Sequence, residues 1–96
     1  MKKFLRGETV TIEDEFKVSG TLTTPDTSYT IEIDDPYGEN VVNAQTMTVV
    51  STGLLRYNYD ISADATTGTY KADTIYVHDG VTTKARHYFV VSQEVD

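Results

Sequence analysis

Apolar and polar residues alternate with a period of two along most of this chain, a pattern typical of β-strands that bury one face. The cleanest run has Tyr29, Ile31 and Ile33 on one face, separated by polar residues. Glycine- and proline-containing turns such as residues 35–38 separate the runs. The pattern predicts an all-β fold of two antiparallel sheets packed as a sandwich. The seven predicted strands cover residues 9–13, 16–22, 29–34, 41–51, 55–61, 70–78 and 81–91.

Two of these runs carry less regular patterns. Within residues 16–22, Gly20 marks either a bulge or a close approach of another backbone segment. Residues 41–51 carry apolar and polar groups on both faces. We expect residues 41–50 to form a sheet edge, where unpaired N–H and C=O groups can add a strand from a partner.

The last third of the chain predicts a long β-hairpin closed by Asp79-Gly80, a favoured type I′ turn pair. Such a turn fixes the cross-strand register. The predicted pairs are His78 with Val81, Ala72 with His87, and Tyr70 with Phe89.

This register places a mainly apolar set, Tyr70, Ala72, Phe89 and Val91, on one face of the hairpin. Strict alternation then puts Ile75 and Val77 on the opposite face. We expect either a bulge near residues 73–74, which would turn them inward, or a hairpin tip that protrudes past the core.

Tyr70 lies just inside the first strand of the hairpin, as does the residue of a tyrosine corner. In that motif the tyrosine hydroxyl donates a hydrogen bond to the backbone a few residues upstream. We therefore expect the Tyr70 hydroxyl to bond within residues 62–67.

Three motifs carry a resemblance to known domains: Phe4 with Gly7-Glu8 before the first strand, Asp35-Pro36-Tyr37-Gly38, and Gly68-Thr69-Tyr70 with Phe89-Val90-Val91. In these features the chain resembles the immunoglobulin-like modules of bacterial and archaeal surface proteins and the related macroglobulin-type domains. The resemblance implies an immunoglobulin-like sandwich with a non-catalytic role. The cysteine pair and tryptophan of antibody-type domains are absent, and Ala72 stands where a bridging cysteine would be.

Length, charge and hydropathy limit the domain count and the classes of function that the chain can have. Ninety-six residues suffice for one domain, with residues 1–7 as a flexible or edge-packing segment. A net charge of −7 without a basic patch argues against nucleic-acid binding. No apolar run approaches the ~18 residues of a membrane span. The chain fits an extracellular or cell-surface protein if it is one module of a longer chain, and otherwise the cytoplasm or a virion.

Metal and cofactor sites find little support in the sequence. In the predicted register His78 and His87 stand about 20 Å apart along the ladder, too far to share a metal ion. If a Ca²⁺ site exists at the strand ends, we expect it where Asp34 and Asp35 approach Asp60 and Asp64. No cofactor-binding motif is present, and no catalytic constellation indicates an enzyme.

The remaining candidates for function are exposed tyrosines. Tyr37 in a turn, together with Tyr76 and Tyr88, is expected to be exposed and to contact a protein or a glycan. We therefore expect a non-enzymatic structural or protein-interaction module, a spacer or adhesive unit of a surface protein or a small component of a larger assembly such as a virion. The alternative is a carbohydrate-binding module that uses these tyrosines.

Overall fold

The computed structural model describes residues 2–93, which fold into β-strands without a helix. The predicted all-β class is confirmed, and no helix within these residues could cross a membrane. The strands are β1 (Lys2–Leu5), β2 (Thr9–Glu15), β3 (Lys17–Val18), β4 (Thr21–Leu22), β5 (Ser28–Asp34), β6 (Asn40–Thr46), β7 (Thr48–Ser51), β8 (Leu54–Asp60), β9 (Gly68–His78) and β10 (Val81–Ser92).

Two sheets form the body of the domain. The larger has the strand order β1-β10-β9-β5-β6, and the smaller has the order β2-β8-β7. All pairings within them are antiparallel except that of β1, which lies parallel to β10 and pairs Lys2 with Phe89. Residues 2–5 therefore add an edge strand to the larger sheet.

The core lies between the inward faces of the two sheets. Its largest fully buried side chains include Tyr70, Ile31, Ile33 and Leu55. The alternation of β5 and β8 predicted these inward faces correctly, because side chains on a pleated strand alternate strictly between the two sides. Tyr29, Tyr57 and Tyr59 pack against the same core while partly exposed.

The β9–β10 hairpin confirms the predicted register at all three pairs. Asp79 and Gly80 have φ of 50° and 74°, the left-handed values that a type I′ turn requires. Of the two alternatives for Ile75 and Val77, the bulge is wrong, because pairing continues without a shift from Val81 to Val91. Thr74 and Tyr76 occupy the inward positions instead, and Ile75 and Val77 lie half-buried on the outer face.

Tyr70 forms the predicted tyrosine corner. Its hydroxyl donates a 2.6 Å hydrogen bond to the carbonyl oxygen of Thr66, within the expected segment. Its ring stacks on Phe89 across the hairpin, with 5.2 Å between ring centroids and 19° between planes. The corner therefore fixes the loop before β9 to the centre of the core.

Residues 16–22 do not form the single strand that their alternation predicted. Ser19 and Gly20 both have positive φ, 51° and 81°, so the backbone reverses there and β3 pairs with β4 in a small hairpin. Gly20 thus occupies a turn rather than a bulge. Val18 and Leu22, the alternating apolar residues of this run, are each 40% exposed because the small hairpin projects from the sandwich.

Residues 41–51 are also divided, since the chain crosses from one sheet to the other at Met47. Met47 is buried, and its N–H donates to the carbonyl oxygen of Tyr29 at 2.9 Å. β6 before it and β7 after it are the outer strands of the larger and the smaller sheet. The predicted edge position is confirmed in both sheets, and the mixed pattern follows from the change of sheet.

Candidate functional site

A cleft of about 620 Å³ opens at the end of the sandwich near the β9–β10 turn. It lies between the β2–β3 segment on one side and the tip of the hairpin on the other. The volume is within the range of small-ligand and side-chain binding pockets. The cleft is lined by Asp14, Glu15, Phe16, Lys17, Val18, Tyr76, His78, Asp79, Val81, Thr83 and Ala85.

The cleft exists because the two sheets differ in length. β2 stops at Glu15, and a 2.8 Å hydrogen bond from the Phe16 N–H to the Gly53 carbonyl directs the following residues toward the β7–β8 turn. β10 continues further, so within residues 2–93 no strand of the smaller sheet covers the inward side chains of Val81 and Thr83. Val81 is 63% exposed as a result.

The carboxylate of Asp14 closes the inner end of the cleft. Its Oδ2 accepts hydrogen bonds of 2.6 Å from both the Thr74 hydroxyl and the Tyr76 hydroxyl. The His87 Nε2 lies 2.8 Å from Oδ1, at ion-pair distance but without the alignment of a hydrogen bond. Asp14 belongs to the smaller sheet and its three neighbours to the larger one, so this polar cluster joins the two layers.

Tyr76 connects the polar cluster to the apolar wall of the cleft. Its ring lies 5.5 Å from that of Phe16, which in turn lies 5.7 Å from the His78 imidazole. Burial raises the pKa of the Tyr76 phenol well above its ordinary value of 10.0, and the hydrogen bond to Asp14 raises it further. The phenol is therefore held neutral, as a donor to the carboxylate.

A second polar cluster lies at the hairpin tip. There an imidazole nitrogen of His78 and carboxylate oxygens of Asp26 and Asp79, atoms that could bind a metal ion, lie within 4.8 Å of one another. The Asp26 N–H donates to His78 Nδ1 at 3.1 Å, and the Asp79 N–H donates to Asp26 Oδ1 at 3.2 Å. Hydrogen bonds from Thr27 and Asp79 lower the pKa of the Asp26 carboxyl. These hydrogen bonds hold the loop after β4 against the β9–β10 turn.

The four carboxylates named for a possible Ca²⁺ site do not form one cluster. Within residues 2–93 the structure does not gather Asp34, Asp35, Asp60 and Asp64 into a cluster that could hold a metal ion. Asp35 instead accepts hydrogen bonds from the N–H groups of Tyr37 and Glu39, which stabilises its turn. Asp60 accepts from the Thr9 hydroxyl across the small sheet.

The three candidate tyrosines have different environments. Tyr37 is 86% exposed at the tip of its turn, and Tyr88 is 50% exposed on the outer face of β10. Tyr76, which was also expected at the surface, is buried. The reason is its inward position on β9, two residues after Thr74, where its ring fills the space beneath Phe16.

The polar cluster was missed in the sequence, although a signal was present. Asp14 has the same parity as the core residues Val10 and Ile12, so alternation already places it on the inward face. His87 likewise shares the parity of Phe89. Polar residues at inward positions of neighbouring strands indicate a buried network, because burying an unpaired polar group is costly.

No protein-family model matches this sequence, and a search of curated proteins finds no match either. Among solved structures, the chain is similar to the crystal structure of the Lin-41 filamin domain, with a TM-score of 0.65 and 20% sequence identity. The match covers 97% of this chain and 85% of that one. A filamin domain is an immunoglobulin-like sandwich, so this likeness confirms the predicted immunoglobulin-like fold.

Because the pKa of Tyr76 is raised, the free energy of unfolding should decrease at alkaline pH. The fold favours the neutral phenol, so this stabilisation is complete below about pH 10 and is lost as the pH rises toward the folded pKa. The loss amounts to at most about 1.4 kcal/mol per pH unit for one such phenol. Urea unfolding between pH 8 and pH 11.5 should show a shallower decline for Tyr76→Phe than for the wild type.

The exposed Tyr37→Phe is the matched control and should keep the wild-type pH dependence. Burial also raises the pKa values of Tyr59 and Tyr70, so part of the decline persists in Tyr76→Phe. Identical slopes for the wild type and Tyr76→Phe would contradict the assignment of a buried phenol to Tyr76.

Proposed function

We propose that this chain is a non-enzymatic structural or protein-interaction module. The observation that carries the proposal is that β6 and β7, the outer strands of the two sheets, both carry exposed valines. Val41 on β6 is 42% exposed, and Val49 and Val50 on β7 are 39% and 42% exposed. We call this surface, formed by β6 and β7 with these three valines, the valine edge.

The valine edge has the chemistry of a contact surface. Its strands are the outermost of their sheets, so one side of each backbone offers N–H and C=O groups to a partner. The register shifts beside Val42 in β6 and beside Val49 in β7, which limits any added strand to short stretches. A partner would therefore gain affinity mainly from the exposed valine side chains.

The finer role that we propose is that of a spacer or adhesive unit in a surface protein, or of a small component in a larger assembly such as a virion. The immunoglobulin-like fold supports a role in which the domain presents surfaces to neighbours. The fold does not itself specify a partner, because function depends on the site and not on the architecture.

The valine edge is tested by the double variant Val41→Lys/Val49→Lys. Burial of two valines is worth more than a factor of about tenfold in affinity, so we expect this variant to lose partners that the wild type captures. The immobilised protein would be exposed to an extract of the producing cells, and captured proteins would be quantified by mass spectrometry. Leu22→Lys, at an exposed apolar position that belongs neither to this surface nor to the cleft, is the matched control.

Both variants change exposed positions, so thermal unfolding should show folded proteins in each case. Equal capture by the double variant and the control would remove the valine edge as the interaction surface. Loss in Leu22→Lys alone would assign the partner to the small β3–β4 hairpin instead.

Carbohydrate binding is the second candidate, supported by the exposure of Tyr37 and Tyr88. Tyrosine rings can stack on sugars because they join apolar area to a polar tip. On a glycan array, binding that disappears in both Tyr37→Ala and Tyr88→Ala would support this function. No signal at millimolar ligand would rule it out.

A further inference from the structure

A second sheet edge lies beside the cleft and differs from the valine edge. β1 begins to pair with β10 only at Phe89, and among residues 2–93 no strand pairs with that side of residues 81–87. We call this segment the open β10 edge. At about 3.4 Å per residue it extends for about 24 Å, enough for a strand of average length.

The open β10 edge is regular. Its pairing with β9 has no register shift, whereas β6 and β7 are both interrupted. A two-residue hairpin directs the N–H and C=O groups of Val81 toward His78, so alternation directs those of Thr82, Lys84 and Arg86 outward. An added strand could therefore form regularly spaced backbone hydrogen bonds with these residues.

The cleft lies under this edge and is open to apolar side chains. Val81, Thr83 and Ala85 point inward, toward Phe16 and the exposed Val18. A strand added to β10 would direct every second side chain the same way, into the cleft. Alternate apolar residues in the partner would therefore be buried between the two layers.

The charge of the cleft indicates the charge that a partner segment would carry. Asp14, Glu15 and Asp79 line it together with a single lysine, Lys17. A second copy of this chain, with its net charge of −7, would be repelled. A cationic segment would be attracted to the exposed Glu15 and Asp79 carboxylates at the rim.

We propose that the open β10 edge and the cleft bind an extended peptide by strand addition, with apolar side chains in the cleft and a Lys or Arg at each end of the apolar row. The partner is thus a basic, β-forming segment of another protein. This site is separate from the valine edge and does not depend on it.

The test uses the whole chain and a synthetic peptide, Lys-Thr-Val-Thr-Leu-Thr-Val-Thr-Lys, whose alternate residues match the proposed row. Amide hydrogen exchange measured by NMR reports on the backbone itself. We expect the peptide to slow exchange at Thr82, Lys84 and Arg86, whose N–H groups point outward in the free chain. The same peptide with Glu at both ends should bind at least about tenfold more weakly, because it meets like charges.

Two variants separate this site from the valine edge. Val81→Lys should weaken binding by about tenfold or more, since it removes one apolar wall and adds a like charge. Val49→Lys should bind the peptide as the wild type does. Lys84→Pro removes one outward N–H without removing a bond to β9 and should also weaken binding.

Three results would overturn the proposal. The first is unchanged exchange at the three amides in the presence of saturating peptide. The second is peptide binding that is lost in Val49→Lys and kept in Val81→Lys, which would place the peptide at the valine edge. The third is protection that increases with protein concentration in the absence of peptide, which would assign the edge to a second copy of this chain.

Discussion

The carboxylate of Asp14 is the polar constraint that relates the two sheets. It stands on an inward position of β2, where an unpaired charge would be strongly destabilising. The hydroxyls of Thr74 and Tyr76 compensate for this by donating to one oxygen, and His87 lies beside the other. Because all three belong to the larger sheet, the carboxylate fixes the relative position of the layers in a way that apolar packing alone does not.

The Asp14 cluster also lies at the point where the sandwich opens. On one side of the cluster the core is apolar and closed around the stacked rings of Tyr70 and Phe89. On the other side β2 ends, and the hairpin tip continues past it as one wall of the cleft. Two edges of the domain therefore differ in character, an irregular one with exposed valines and a regular one beside an acidic cleft. These edges offer different chemistry to partners.

The alternation of apolar and polar residues, together with turn residues, predicted the structure correctly where a strand had one buried face or paired with the next strand along the chain. It predicted the inward residues of β5 and the hairpin register from Asp79-Gly80, because both depend on neighbouring residues. The alternation gave wrong strands where an unusual backbone conformation, or pairing with strands far away in the sequence, determined the structure. The positive φ of Ser19 reversed a run that alternates well, and the crossing at Met47 placed one run in two sheets. The site depends on contacts sixty or more residues apart along the chain, such as Asp14 with Tyr76, which no local pattern specifies.

A double-mutant cycle between Asp14→Ala and Tyr76→Phe tests the central role of Asp14 most directly. Urea unfolding at neutral pH would give the free energies of unfolding of the wild type, both single variants and the double variant. If the carboxylate and the phenol join the sheets, the two substitutions are coupled by about 1–3 kcal/mol. Losses that add to within about 0.5 kcal/mol would show independent residues and contradict this account.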